Sequence, residues 1–211
     1  MQHDLTNWIP YKLTTEKEEI QVKWLFLSDK LFTEPFFDET ILACKKLPEN
    51  SSFFASASSL SWLADVAASA DFLPPDGLIF HVSRCGSTLL SQLIGLKPDT
   101  IVLSEVPILD DILNLETSKI PALQTKKELV SAVVKLLGKK RQKTQQHLFV
   151  KLDCWHLFYY EMLREIFPDV PFFFLYRNPS EVLASHRKLR GKHMVPGLAN
   201  LALSGLGNCT T

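Results

Sequence analysis

The stretch around residues 74 to 94 constrains this chain more than any other. Pro74-Pro75-Asp76-Gly77 breaks what precedes it, and Leu78 to Val82 is a short apolar run of strand character. Ser83-Arg84-Cys85-Gly86-Ser87-Thr88 then leads into Leu89, Leu90, Leu93 and Ile94, which are spaced as on one side of a helix. A strand, a tight polar loop and a helix starting near Ser87 leave backbone N–H groups at the helix N-terminus without intrahelical partners, and the helix dipole adds to them. Such a point binds phosphate. Gly86 lets the backbone come close to an anion, Ser87 and Thr88 can cap the helix or donate hydroxyl hydrogen bonds, and Arg84 contributes a fixed positive charge. The pentapeptide Arg-Cys-Gly-Ser-Thr on its own is equally an ordinary turn and N-cap; its place directly after an apolar strand favours the anion reading.

The same alternation recurs downstream. Thr100 to Leu103, His147 to Leu152 and Pro171 to Tyr176 read as further strands. Leu129, Val130, Val133, Val134 and Leu137, and then Phe158, Met162, Leu163 and Ile166, repeat at helical spacing, as do Leu89, Leu90, Leu93 and Ile94; all three stripes are read as core. Repeated βα units predict an α/β fold with a central parallel sheet flanked by helices. Before residue 74, Gln21 to Phe26 reads as a strand or hairpin arm, and Pro35 to Leu47 and Ser58 to Ser69 as helices. The expected organisation is a lead-in over 1–73 packed on the same core, a domain over 74–197, and a small-residue tail over 198–211.

A content of 46% hydrophobic and 22% charged residues fits a folded globular domain, and the 23 basic and 23 acidic residues cancel. The balance therefore points to neither nucleic acid nor a polybasic membrane anchor, and an anionic ligand has to be held by local charge. Cys44, Cys85, Cys154 and Cys209 lie far apart without a C-x-x-C pair, which argues against a disulfide framework or a zinc site. No leader-like or membrane-spanning run is present in the sequence, so the reading is a cytoplasmic protein in a reducing compartment.

A second motif follows about ninety residues after the first. Phe174-Leu175-Tyr176-Arg177-Asn178-Pro179-Ser180-Glu181-Val182-Leu183-Ala184-Ser185 places Arg177 at the end of a strand, Pro179 in the first turn of a helix and Ser185 two turns in. In open α/β sheets ligands bind at the carboxyl ends of strands, where Arg177 sits; alternatively, such an arginine pairs with a nearby carboxylate. The run from Ile79 to Leu90 resembles the 5′-phosphosulfate loop of the sulfotransferases, with Arg84, a small residue, Gly86 and two hydroxyl residues. The run from Phe174 to Ser185 resembles that family's 3′-phosphate motif, with serine eight residues after the arginine. The loop is closer to the arginine type of tyrosylprotein, Golgi-type and bacterial members than to the cytosolic members.

The resemblance implies a three-layer fold like that of the P-loop nucleoside triphosphate hydrolases, and PAPS (3′-phosphoadenosine 5′-phosphosulfate) as sulfuryl donor. Ser83, Arg84, Cys85, Gly86, Ser87, Thr88, Arg177 and Ser185 would hold the donor, without a metal. The acceptor would be the hydroxyl or amine of a small molecule, carbohydrate or peptide. Sulfuryl transfer needs a base for the acceptor proton and cations for the leaving phosphate. By resemblance Glu105, after the second strand of the motif, is the base, with a histidine as second choice. Lys151, at a strand end, and Arg84 are the cations. Read without the family, Glu105 equally complements the dipole of a helix over Ile108 to Leu113, and Lys151 equally snorkels to solvent.

Other polar residues carry weaker expectations. Asp153 and His156 either hold a substrate or start the following helix; Cys85 is a reactive thiol or, more simply, a small packing residue. Lys139 to Lys143 is expected to be a solvated loop. His186, Arg187, Lys188, Arg190 and Lys192 add positive potential or form an exposed helix end. The similarity spans about residues 58 to 197. Family members usually continue with further helices and a lid, so the expectation is a shortened or incomplete chain. Two other readings stay open: a small-molecule kinase using Mg-ATP, weakened because Ser87 rather than lysine follows Gly86, and a non-catalytic nucleotide-binding remnant.

Overall fold

A computed structural model describes residues 5–51 and 56–189. Its first layer is a hairpin of β1 (Trp8–Glu16) and β2 (Glu19–Phe26), extended by the short β3 (Ala57–Ser59) in the order β1-β2-β3, all antiparallel. Lys17 and Glu18 connect β1 to β2 with φ of 49° and 70°. Two successive positive φ values make this the tight primed turn that matches strand twist, formed without the usual Asn-Gly. Between β2 and β3 lies α1 (Phe37–Cys44), and Ser59 caps α2 (Leu60–Ala68) by accepting from the Trp62 N–H.

The second sheet is parallel throughout. β4 (Gly77–His81), β5 (Thr100–Ser104), β6 (His147–Lys151) and β7 (Phe172–Leu175) form four strands in the order β5-β6-β4-β7. Every residue of β4 is buried, as expected of an inner strand covered on both faces. The crossovers contain α3 (Ser87–Gly95), α4 (Pro107–Asn114), α5 (Lys126–Leu137), α6 (Tyr160–Ile166) and, after β7, α7 (Pro179–Lys188). The fold is α/β, a parallel sheet flanked by helices. Thr125 and Glu128 close a capping box that fixes the start of α5, whose Leu129, Val130, Val133, Val134 and Leu137 are all buried.

Both sheets feed one hydrophobic core, in which Ile9, Val22 and Leu25 of the hairpin join Leu78, Leu103, Leu129 and Val150. Asp111 on α4 strengthens the junction by accepting the Leu13 N–H of β1 at 2.8 Å. Among the described residues no helix is long and apolar enough to cross a membrane, and no disulfide is formed.

Three expectations require correction. The stripe on α3 does not serve as core: Leu89 and Leu93 are 67% and 55% exposed, and the residues α3 buries are Ser87 and Ser91. Small serines let the helix sit close to the sheet just behind the loop. The segment around Phe158 is a 3-10 turn over Cys154–Tyr159 that leads into α6, not one continuous α-helix. The basic run after α5 is not wholly solvated. The Arg141 guanidinium folds back to donate to the carbonyls of Leu136, Leu137 and Lys139 and lies over the Phe32 ring, and burial lowers its pKa to about 10. Its donors go to carbonyls at and just past the C-terminus of α5, where the helix supplies no N–H of its own.

Candidate functional site

All four parallel strands deliver a polar residue at the same, carboxyl, end. β4 runs into the loop Ser83 to Thr88, β5 into Glu105, β6 ends on Lys151 and β7 is followed by Arg177. Ligands of open α/β sheets bind at that end. Here the ends border a cleft of about 560 Å³ lined by Ser83, Arg84, Gly86, Ser87, Thr88, Glu105 and Ser185, together with His81 and, from the N-terminal part, Phe36, Asp38 and Glu39. This is a volume typical of small-molecule sites.

The loop has the geometry of an anion cradle. Arg84 and Gly86 both adopt left-handed backbone, with φ of 63° and 92°. Left-handed residues alternating with ordinary ones turn successive N–H groups toward one side. Gly86 is the N-cap of α3, and among the described residues no side chain caps that helix. Its first-turn N–H groups are therefore left for a ligand or for water. Arg84 is unusual in taking a conformation that costs a non-glycine residue roughly 1–2 kcal/mol. Its side chain is held by Ser185, whose Oγ accepts from Nε at 3.1 Å, and by the Leu189 carbonyl, which accepts from Nη2 at 3.3 Å.

Under the loop lies a buried ion pair. Lys151 is 0% exposed; its Nζ donates to Glu105 Oε1 at 2.6 Å, reaches Thr88 Oγ1 at 3.4 Å and sits 5.3 Å from the centre of the Phe36 ring. The lysine does not snorkel to solvent; it turns inward and joins β6 to the start of α3. Glu105 has φ 53°, and its backbone N–H donates to the Lys151 carbonyl at 2.8 Å, so the two residues are tied through both backbone and side chain. The carboxylate is held by Lys151, and within the first turn of α4 the acid is Asp110.

The second motif meets the first through Arg84. Ser185 lines the cleft, whereas Arg177 stands at its outer side, with Nη1 3.5 Å from the Arg84 carbonyl oxygen and Nε donating to Glu181 at 2.6 Å. In this arrangement Arg177 has the carboxylate partner foreseen as its alternative, but the pair is half-exposed and of the exchangeable surface kind. Asn178 caps α7 by accepting from the Ser180 N–H. Cys85 belongs to the loop without lining the cleft. Asp153 caps the turn at Cys154 and His156 completes a capping box with it, so both serve the helix start. His186 is buried, Arg187 and Lys188 are exposed, and Arg190, Lys192 and the tail at 198–211 lie outside the described residues.

The sequence left the contribution of His81, Phe36, Asp38 and Glu39 unread. A polar residue closing the otherwise apolar strand Leu78 to His81 was the available signal for the first. No local signal existed for the others, because only tertiary packing brings α1 over the strand ends. The chain matches no known protein-family profile, no curated protein and no solved structure.

Proposed function

We propose that the cleft binds PAPS and that the chain transfers its sulfuryl group to a hydroxyl or amine acceptor, as the likeness of both motifs to the sulfotransferases implies. One observation carries the reading: the Lys151–Glu105 pair, buried under the phosphate loop and touching Thr88. A lysine reaching the loop from a neighbouring strand adds to Arg84 the lysine that the loop itself lacks, since Ser87 follows Gly86. The strand order β5-β6-β4-β7, with the loop after β4, supports a P-loop-type fold.

The donor set suits the ligand: backbone N–H groups, hydroxyls, Arg84 and Lys151 are the partners of a phosphate, and Arg177 and Ser185 are available to a second one. Bound there, PAPS would supply a sulfuryl group attached to its 5′-phosphate. Glu105 accepts the acceptor's proton as the new O–S or N–S bond forms. Lys151, Arg84 and the α3 N-terminus stabilise the negative charge that collects on the 5′-phosphate as the old S–O bond breaks. The test is incubation of the full chain with sulfur-labelled PAPS and a panel of alcohols, amines, glycans and tyrosyl peptides. Label in an acceptor is expected. Mg²⁺-dependent ATP turnover without affinity for the product nucleotide PAP (3′-phosphoadenosine 5′-phosphate) would replace this reading with a kinase, and PAP binding without transfer to any acceptor would replace it with a binding protein.

A further inference from the structure

A second cavity, of about 520 Å³, opens on the N-terminal sheet and shares no described lining residue with the cleft at the strand ends. Three of the chain's four tryptophans line it. Strand pairing sets Trp8 opposite Phe26 and Pro10 opposite Trp24, so Trp8 and Trp24 fall on one face of the hairpin. Trp62, in the first turn of α2, meets the Trp24 ring edge to face with the centroids 5.1 Å apart. Trp24 is 7% exposed and belongs to the core, whereas Trp62 is 37% exposed and keeps ring surface open to a ligand.

The polar groups around these rings are neutral donors. The Trp24 indole N–H donates to Ser58 Oγ at 2.9 Å, and the Ser58 hydroxyl donates on to the Ser59 carbonyl at 3.2 Å, which fixes the buried ring. Ser59 Oγ accepts the Trp62 backbone N–H at 3.1 Å, and its own hydrogen remains to be given. Among the described residues the indole N–H groups of Trp8 and Trp62 have no partner. An indole N–H can only donate. Ser56 adds a further hydroxyl, and among the described residues no charged side chain lines the cavity.

These features discriminate between ligands. An ion finds no counter-charge here and would lose hydration against the indole faces. A purely apolar molecule covers the rings but takes the indole and hydroxyl donors out of water without an acceptor, at a cost for each. A molecule with an apolar ring face and oxygen acceptors around its rim meets both demands, and the cavity has the volume of a small-molecule site. We propose that it binds carbohydrate, taking a neutral pyranose unit of an oligosaccharide. The C–H face of the sugar packs against the indole rings, and its ring and hydroxyl oxygens accept from the Trp8 and Trp62 indole N–H groups and from Ser59. Binding is non-covalent and involves no residue of the strand-end cleft, so the inference stands apart from the donor reading.

The test is titration of the full chain with maltohexaose, cellohexaose and chitohexaose, read by tryptophan fluorescence and by the indole N–H signals of ¹H–¹⁵N spectra. Saturable binding of at least one sugar is expected, with half-saturation at about 1 mM or below. The Trp8 and Trp62 indole signals are expected to shift and that of Trp155, outside the cavity, to stay. Sorbitol, which has hydroxyls but no ring face, and octanol, which is mostly apolar, are expected not to bind. Trp62→Ala should weaken sugar binding at least about 10-fold, and Trp62→Phe less, because an aromatic ring stays and only the N–H is lost. No saturable binding of any of the three sugars overturns the proposal, as does equal affinity in wild type and Trp62→Ala. Octanol binding in place of the sugars overturns it by making the cavity a site for apolar ligands. Should Trp62→Ala fail to fold, the wild-type spectra decide: sugar binding that leaves both indole signals unmoved overturns the proposal. None of these failures bears on PAP binding, which concerns the other cleft.

Discussion

Lys151 is the residue on which the site turns. A lysine with 0% exposure has lost all of its hydration, and its 2.6 Å contact with Glu105 is what makes that burial tolerable. Lys151→Met therefore leaves a carboxylate buried without its cation and should destabilise the protein by about 3–5 kcal/mol, while the Lys151→Met/Glu105→Gln double variant should recover a good part of the loss. Urea denaturation of both variants checks this, and equal stabilities would show that the pair contributes nothing. Both residues were legible as candidates because each stands at a strand end. Their pairing was not, because the partners are 46 positions apart and their distance depends on β5 and β6 being neighbours. His81 carried one sequence signal, a polar residue closing an apolar strand, but its place in the cleft beside Glu105 likewise depends on how the strands pack.

At the level of elements, the hairpin and the crossover helices are joined by a half-buried carboxylate. Asp111 accepts the Leu13 N–H, and burial raises its pKa above the ordinary carboxylate value of 3.8. A raised folded-state pKa means the native protein holds this proton more tightly than the unfolded chain does. The contribution is thus fully present below about pH 4 and is lost as the pH rises through the folded value. Asp111→Asn keeps an oxygen to accept from Leu13 and has no proton to lose. Its denaturation midpoint relative to wild type should rise between about pH 4 and 7; a constant difference over that window would contradict the assignment. The four parallel strands could be read from sequence to within about a residue, because short apolar runs after breakers leave little choice. β1 could not, since the turn at Lys17 and Glu18 lacks glycine or asparagine, and the chain accepts two left-handed residues there instead. The leucines of α3 were misjudged because helical spacing identifies a face without saying which face is inward. Ser87 and Ser91 take the inward side, where only small residues allow the helix to approach the strands.

In the molecule as a whole, two layers of different origin meet at one cleft. The parallel sheet supplies the loop, Glu105 and Lys151 from its carboxyl edge, and the N-terminal part closes over them with Phe36, Asp38 and Glu39. Arg84 links the two sequence motifs, 101 positions apart, through Ser185. On the proposed function, one ligand would bridge this connection with two anionic groups, one for the loop and one for the Arg177–Ser185 side. Calorimetric titration with PAP of the wild type, Arg84→Ala and Arg177→Ala measures it most directly. Binding by the wild type without Mg²⁺ is expected, with each alanine variant weakened by at least about 10-fold, or roughly 1.4 kcal/mol. Undiminished affinity in both variants, or no binding of PAP by the wild type, would contradict it.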